Sequence, residues 1–271
     1  MIRLPETSLP TETSQALASF QTTVDDESTY PLQVSKAKSL FKAKNKETDP
    51  VFKVIRKELT GMCSGARRCC YCEDSCADEV EHIAPKSLYP NRCFDWENYL
   101  YACGLCNGPK DNQYAVFDDV SGEMIDVSRK RNDPVVPPRT GVEALINPRK
   151  EDPLDLIWLD LETFRFVPDP NLSEESREWA RADFTVNTVL RLNERELLVA
   201  ARRTTFQNYL ATLEKYVDDR DLTHDTESME ARKAAIQSMN HRTVWQEMKR
   251  QRHFYPKLQQ LFDQAPEALD W

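Results

Sequence analysis

Cysteines are concentrated in one part of the chain, at spacings that suit metal binding. Seven of the eight cysteines fall between positions 69 and 106. Four of them form two CxxC pairs with thirty residues between the pairs: Cys69 with Cys72, and Cys103 with Cys106. Two such pairs supply the four thiolates that zinc prefers in a structural site. The spacing therefore predicts structural Zn²⁺; the alternative is that all four thiols are buried as small apolar side chains.

The first pair leaves one choice of ligand open. Cys70 could replace Cys69, in a CxC pairing with Cys72. We favour Cys69 because CxxC is the commoner zinc-knuckle spacing. The remaining cysteines have no partner at such a spacing and are expected to pack as small apolar residues: Cys63, Cys76 and Cys93.

Within the loop that zinc would close stand residues suited to phosphodiester hydrolysis. Histidine has a pKa that makes it a base at neutral pH, and His82 follows directly on Glu81. Asn107 comes directly after the last cysteine of the second pair, so a bound zinc ion would fix its position. Carboxylate and amide oxygens are the hard ligands that Mg²⁺ prefers. These residues predict a base beside a hard-cation site. The alternative is a core histidine whose hydrogen bonds are satisfied and which has no catalytic role.

The segments VEHIAP and WENYLYACGLCNGPK resemble the HNH, or ββα-metal, endonuclease motif. The resemblance implies that His82 is the general base and that Glu81 is the acidic metal ligand, where aspartate is more usual. It implies that Asn98 is the middle asparagine, which pins the loop holding the base. Asn107 takes the last position and completes an HNN variant. Structural Zn²⁺, catalytic Mg²⁺ or Mn²⁺, and products with 5′ phosphates are the further implications.

The resemblance extends beyond the motif. The blocks CYCE, EHIAPKS, DWENYLYAC, ALINP and TVLRLNERELLVAARR follow the order found in HNH proteins of two-gene bacterial defence modules, such as the Septu anti-phage system. In those modules the HNH protein acts beside an ATPase, so an ATPase partner protein is implied. The chain has no GxxxxGK[ST] loop. Any dependence on ATP is therefore expected to come from the partner.

The composition narrows the class of protein in which this chemistry is expected. Of 271 residues, 40% are hydrophobic and 30% are charged, which is typical of a folded globular protein. No stretch approaches the roughly 20 apolar residues of a membrane helix, and the first residues show no signal-peptide pattern. A cytoplasmic protein without disulfides is the expectation, since the cytosol keeps thiols reduced.

The charge distribution is uneven, although the net charge is −9. Positions 33 to 68 hold ten basic and three acidic residues, a local net charge of +7. We expect nucleic acid, DNA more than RNA, to be held weakly and in a salt-sensitive way by the isolated chain. The basic residues that we propose to contact nucleic acid are Arg67, Arg68, Lys86 and Lys110. The alternative is that they are ordinary solvated surface residues.

The predicted fold class is α+β, with a small zinc-stapled ββα-metal core that is treble-clef-like. We predict an N-terminal arm with basic helices over residues 1–60, of which 1–30 are extended. The HNH core follows over 61–127, a linker or surface loop over 128–141, and a mainly helical region over 142–271. Asp49 and Asn193 are the predicted N-caps of two helices.

These observations predict a metal-dependent HNH endonuclease acting with an ATPase in anti-phage defence. Two alternatives stay open. One is a non-catalytic zinc-stapled module that docks a partner ATPase, because many zinc knuckles only bind. The other is an HNH nuclease that cuts structured RNA.

Overall fold

A computed structural model describes residues 1–223 and 225–271, the side chains at 222 and 223 excepted. Within the helical region predicted over 142–271, position 224 lies outside the described residues. The chain begins with helices α1 (Thr11–Asp25), α2 (Tyr30–Lys44) and α3 (Pro50–Met62). The expectation of an extended arm over residues 1–30 is wrong for α1. Its residues Leu17 and Val24 are buried, and this packing stabilises a polar segment as a helix.

Helix α3 begins as the sequence predicts. The Asp49 side chain accepts hydrogen bonds from the backbone amides of the first turn, and Pro50 is the first helical residue. Its buried face differs in part from the predicted one, which included Val51 and Val54. Those two residues are only half-buried. The helix instead buries a stripe with helical spacing: Phe52, Ile55, Leu59 and Met62.

A hairpin and a short helix follow the first cysteine pair. Strand β1 (Glu79–His82) pairs antiparallel with β2 (Tyr99–Ala102), and helix α4 (Gly104–Lys110) begins two residues after β2. In this register His82 lies opposite Tyr99. The order strand, strand, helix places the histidine at the end of β1 and the second cysteine pair at the start of α4.

Two further small sheets flank this unit. Strands β3 (Ala115–Asp118), β4 (Met124–Asp126) and β5 (Gly141–Glu143) form an antiparallel sheet with β3 in the centre. An irregular segment, exposed over most of its length, connects β4 to β5. Strands β6 (Ile157–Leu159) and β7 (Phe166–Pro168) form the hairpin that the alternating pattern predicts.

Helices form most of the remaining chain: α5 (Arg177–Asp183), α6 (Glu196–Asp218), α7 (Thr226–Ser238), α8 (Arg242–Gln251) and α9 (Pro256–Gln264). A single helix over 243–263 would place Pro256 in its interior. The chain instead leaves α8 at Gln251 and restarts at Pro256, because proline lacks an amide hydrogen and disfavours a helical residue before it. The mixture of helices and small sheets confirms the α+β class.

Asn193 is not the N-cap of α6, contrary to the prediction. Arg195 occupies the cap position and Glu196 is the first helical residue. The Asn193 side chain instead accepts from the Phe166 amide at 2.8 Å and donates to the Phe166 carbonyl at 2.7 Å. Two hydrogen bonds to the edge of a strand replace the capping interaction. Among the described residues, no helix has both the length and the hydropathy needed to cross a membrane.

Candidate functional site

The four cysteines of the CxxC pairs meet in one buried cluster. The sulfur atoms of Cys69, Cys72, Cys103 and Cys106 all lie within 4.8 Å of one another. Cys72 Sγ and Cys103 Sγ are 3.8 Å apart. A zinc ion with Zn–S bonds of about 2.3 Å sets its tetrahedral sulfurs about 3.8 Å apart. The cluster therefore fits tetrahedral zinc, and within the described part of the chain it is the one group of three or more such ligands.

The structure places Cys69, and not Cys70, in this cluster, as the spacing favours. Cys70 Sγ lies 4.0 Å from Cys63 Sγ, on the other side of the knuckle. The Cys70 amide donates to the Tyr101 carbonyl at 2.9 Å, which ties the knuckle to β2. Of the remaining cysteines, Cys93 is buried as expected and Cys76 is exposed, which corrects the expectation that it packs.

A positive charge from the helical region touches the cysteine cluster. Hydrogen bonds from the other three thiols lower the pKa of Cys72, whereas burial raises the pKa of Cys69. Arg195 Nη2 donates to Cys106 Sγ at 3.2 Å. A guanidinium that donates to a thiolate offsets part of the negative charge of four sulfurs around one divalent ion. No local sequence pattern indicates this contact, because 89 positions separate the two residues.

His82 is held as a neutral base with one nitrogen available. Its side chain is 2% exposed and packs between Phe41, with ring centroids 4.4 Å apart, and Tyr99, at 5.1 Å. Nε2 lies 2.9 Å from the Cys93 carbonyl, which can only accept, so Nε2 carries the proton. Nδ1 is then the unprotonated nitrogen, and it has no hydrogen-bond partner among the described residues.

The surroundings of His82 keep it in that state. Burial, and then the positive charge of Lys86, hold the pKa of His82 well below its usual range. The imidazole is therefore neutral at pH 7. The Tyr99 hydroxyl donates to the same Cys93 carbonyl at 2.7 Å, so strand β2 helps to fix the group that orients the ring. Neither the Cys93 carbonyl nor Tyr99 was singled out from the sequence.

Asn98 joins the two ends of the loop between β1 and β2. Its Oδ1 accepts from the Ala84 amide at 2.7 Å, and its Nδ2 donates to the carbonyls of Ala84 at 3.0 Å and Arg92 at 2.9 Å. The residue is fully buried. Asn98 directly precedes strand β2, and its hydrogen bonds pin the loop that follows His82.

Glu81 and Lys110 form a buried ion pair. Lys110 Nζ lies 2.5 Å from Glu81 Oε1 and donates to the His82 carbonyl at 2.8 Å. Burial raises the pKa of Glu81, and the charge of Lys110 opposes that rise. Lys110 is fully buried, which corrects the expectation of a surface lysine that meets phosphate. Its ammonium is needed inside because an unpaired buried carboxylate is costly.

Two adjoining cavities lie against these residues. One of about 160 Å³ is lined by Glu81, His82, Lys86 and Asp111 among others. A larger cavity of about 590 Å³ shares Glu81, Lys86 and Asp111, and adds Asn107. The predicted base and both predicted oxygen ligands therefore face connected space. The pKa of Lys86 is lowered by burial.

The larger cavity carries several hard oxygen donors. Besides Glu81 and Asn107 it is lined by the carboxylates of Glu79 and Asp111. The Asn107 amide nitrogen donates to Glu79 at 2.5 Å, so its oxygen keeps its capacity to accept. This donor set is of the type that Mg²⁺ or Mn²⁺ prefers, and such ions retain several waters.

The other residues expected to contact nucleic acid lie apart from the histidine. Arg67 lines a separate cavity of about 290 Å³ beside α3. Arg68 donates to the Asp74 carbonyl at 2.6 Å and stabilises the first cysteine knuckle. Only Lys86 of the four basic residues lines the space next to His82.

Comparison with known proteins gives one relevant similarity. The chain is 36% identical over 64 residues to a Septu protein, PtuB, of Bacillus thuringiensis. The match covers 22% of this chain and spans 25% of the length of that relative. No protein-family model matches the chain. No solved structure matches it either.

Proposed function

We propose that this protein is a metal-dependent HNH endonuclease that hydrolyses phosphodiester bonds of nucleic acid, with DNA as the favoured substrate. One observation carries the proposal: Nδ1 of the buried, neutral His82 has no hydrogen-bond partner among the described residues and belongs to a residue that lines a cavity. Buried polar atoms are rarely left without a partner in proteins unless the site has a use for them.

The chemistry of this chain's own residues follows from that geometry. A water in the cavity of about 160 Å³ would donate its proton to His82 Nδ1 while attacking phosphorus. The Cys93 carbonyl keeps the proton on Nε2 and stabilises the imidazolium that forms. Tyr99 and Asn98 hold the ring and its loop, so that little reorganisation accompanies the proton transfer.

Glu81 and Asn107 are the residues that would hold Mg²⁺ or Mn²⁺. The ion, when bound, supplies positive charge to the phosphate and to the leaving 3′ oxygen, which gives products with 5′ phosphates. Lys86 lines both cavities and would offset the charge of the phosphate. The charge of Lys110 opposes the rise in the pKa of Glu81 that burial causes, and so favours the carboxylate form that a metal ligand needs.

The biological setting is part of the proposal. The similarity to a Septu protein supports a role in anti-phage defence, and the partner that we propose is an ATPase. The structural zinc would fix the start of α4, and with it Asn107, relative to β1. This arrangement explains why a metal staple flanks the histidine.

Cleavage of supercoiled plasmid DNA, with total RNA in parallel, tests the proposal. The parent chain is expected to cut plasmid with Mg²⁺ or Mn²⁺ and to stop when EDTA is present. His82→Ala is expected to lose cleavage while keeping zinc. His253→Ala, which alters an exposed histidine in the C-terminal helical region, is the matched control and is expected to cut normally.

Cleavage by His82→Ala at the parent rate would contradict the proposed base. If that variant folds poorly, Glu81→Gln tests the same site by removing a charge without changing size. If the parent chain cleaves total RNA in preference to plasmid, the nuclease proposal stands and its substrate is RNA. Absence of cleavage of either substrate by the parent chain, together with intact defence in cells that carry His82→Ala, would favour the non-catalytic docking module.

A further inference from the structure

A basic cavity lies beside the candidate active site. It has a volume of about 290 Å³ and is open to solvent between α3 and β2. Four of its seven lining residues are cationic: Lys53, Arg56, Lys57 and Arg67. Glu47 is the single acidic residue in the lining, and Thr60 and Tyr101 complete it. The wall therefore carries a net positive charge.

The cations of this cavity are available for an external partner. Lys53 and Lys57 are exposed on α3, one turn apart, which places their side chains about 6 Å from each other. Within the described part of the chain, no carboxylate lies within 4.0 Å of either ammonium, so neither is engaged in an ion pair.

The two arginines are held in place rather than free. Arg56 donates to the Lys46 carbonyl at 3.0 Å and to the Asn45 side chain, which fixes the guanidinium between α2 and α3. Arg67 has a left-handed backbone, with φ of 54°, and its guanidinium lies 3.0 Å from Cys76 Sγ. Two guanidinium groups held by hydrogen bonds, together with two exposed lysines, form an anion-binding surface.

This surface is continuous with the candidate active site. Arg56 lines both the basic cavity and the cavity of about 590 Å³ that contains Glu81 and Asn107. From Lys53 to Thr60 the helix rises about 10 Å, at about 1.5 Å per residue. That length accommodates about two or three successive phosphates of one strand, at about 3.4 Å of axial rise each.

We propose that the Lys53–Arg56–Lys57–Arg67 surface is a binding track for the sugar–phosphate backbone of a nucleic acid on one side of the cleaved bond. The bound backbone would run along α3 from the candidate active site, and Lys86 would lie at the opposite rim of that site. The proposal rests on the proposed nuclease function for its direction, since the cleaved phosphate defines the start of the track. It makes contact with the backbone alone and predicts no base specificity.

Binding of a fluorescently labelled DNA duplex in EDTA tests the track without cleavage. The test variant is Lys53→Glu with Lys57→Glu, which leaves both fixed arginines in place. The control is Lys215→Glu with Lys233→Glu, the same change of charge on α6 and α7. Zinc content and the thermal unfolding midpoint are compared first, because Lys53, Lys57 and Lys215 are exposed whereas Lys233 is half-buried beside the Trp271 ring.

The track variant is expected to bind DNA roughly tenfold or more weakly at low salt. The slope of log affinity against log salt is expected to fall by about 2, since each lost phosphate contact removes about 0.9. The control is expected to keep the parent slope. Equal affinity and slope for the track variant and the parent would overturn the proposal, as would binding of polyglutamate in preference to the duplex.

The binding and cleavage assays together distinguish failure of the proposed binding track from failure of the proposed nuclease function. A parent chain that binds duplex through these lysines but never cuts plasmid would support the track and refute the proposed function. A parent chain that cuts, while the track variant cuts and binds as well as the parent, would support the function and refute the track.

Discussion

Two adjacent cysteines, Cys69 and Cys70, offer a sharp test of the zinc centre. Both are buried, so replacement of either by serine changes one atom in a similar setting. Only Cys69 belongs to the four-sulfur cluster. Cys70 lies near Cys63 instead. The structure therefore predicts that Cys69→Ser loses zinc and that Cys70→Ser keeps a single ion per chain.

The expected magnitudes differ widely between the two variants. Structural zinc binding is worth roughly 10–16 kcal/mol at pH 7, so one of four equivalent thiolates contributes about 3–4 kcal/mol. Each 1.4 kcal/mol is tenfold, and Cys69→Ser should weaken zinc binding by about 100-fold to 1,000-fold. Cys70→Ser buries a hydroxyl in place of a thiol, which costs stability of about 1–3 kcal/mol and leaves the ligands unchanged.

Zinc content after dialysis, followed by competition with a chromophoric chelator, measures both effects. Urea unfolding of the zinc-loaded proteins separates a lost ligand from a general loss of stability. Parent-like zinc affinity in Cys69→Ser, or loss of zinc from Cys70→Ser alone, would refute the assignment. Comparable loss in both would mean that the knuckle as a whole, and not its four sulfurs, determines binding.

Two further variants test the supports of the site. Arg195→Ala should weaken zinc binding about 10-fold to 100-fold without removing a ligand, because it deletes the guanidinium that donates to Cys106 Sγ; Arg195→Lys should restore part of it, and chelator competition measures both. Asn98→Ala should lower the free energy of unfolding by about 2–4 kcal/mol, because it leaves the Ala84 amide and two carbonyls without partners; an unchanged urea midpoint would show that the loop does not depend on these bonds.

Local patterns predicted the parts of the site that lie close together in sequence. The two CxxC pairs predicted the cysteine cluster, and Glu81-His82 was expected at a strand end. The Asp49 N-cap was equally legible, since capping involves only the next few residues. Such predictions succeed because the atoms that decide them are covalently close.

The remaining features depend on the tertiary fold. The capping-box pattern at Asn193 was sound locally, but hydrogen bonds to Phe166 in strand β7 outcompeted it. We expected Lys110 at the surface because most lysines are exposed. The structure buries it, because the buried carboxylate of Glu81 needs a positive charge beside it. Burial of α1 likewise depends on partners far away in sequence. These tertiary contacts cannot be predicted from a local sequence pattern.

The identity of the basic nitrogen shows most clearly why geometry was needed. Sequence indicates a histidine but cannot tell which nitrogen holds the proton, and a general base requires that the nitrogen facing water be the free one. The Cys93 carbonyl places the proton on Nε2 by accepting from it, and the Tyr99 hydroxyl donates to the same oxygen, so the buried Nδ1 is the nitrogen that the proposed base would use. The antiparallel register that sets Tyr99 opposite His82 brings these groups together. The β1–β2 hairpin therefore determines the protonation pattern of the site as well as its position.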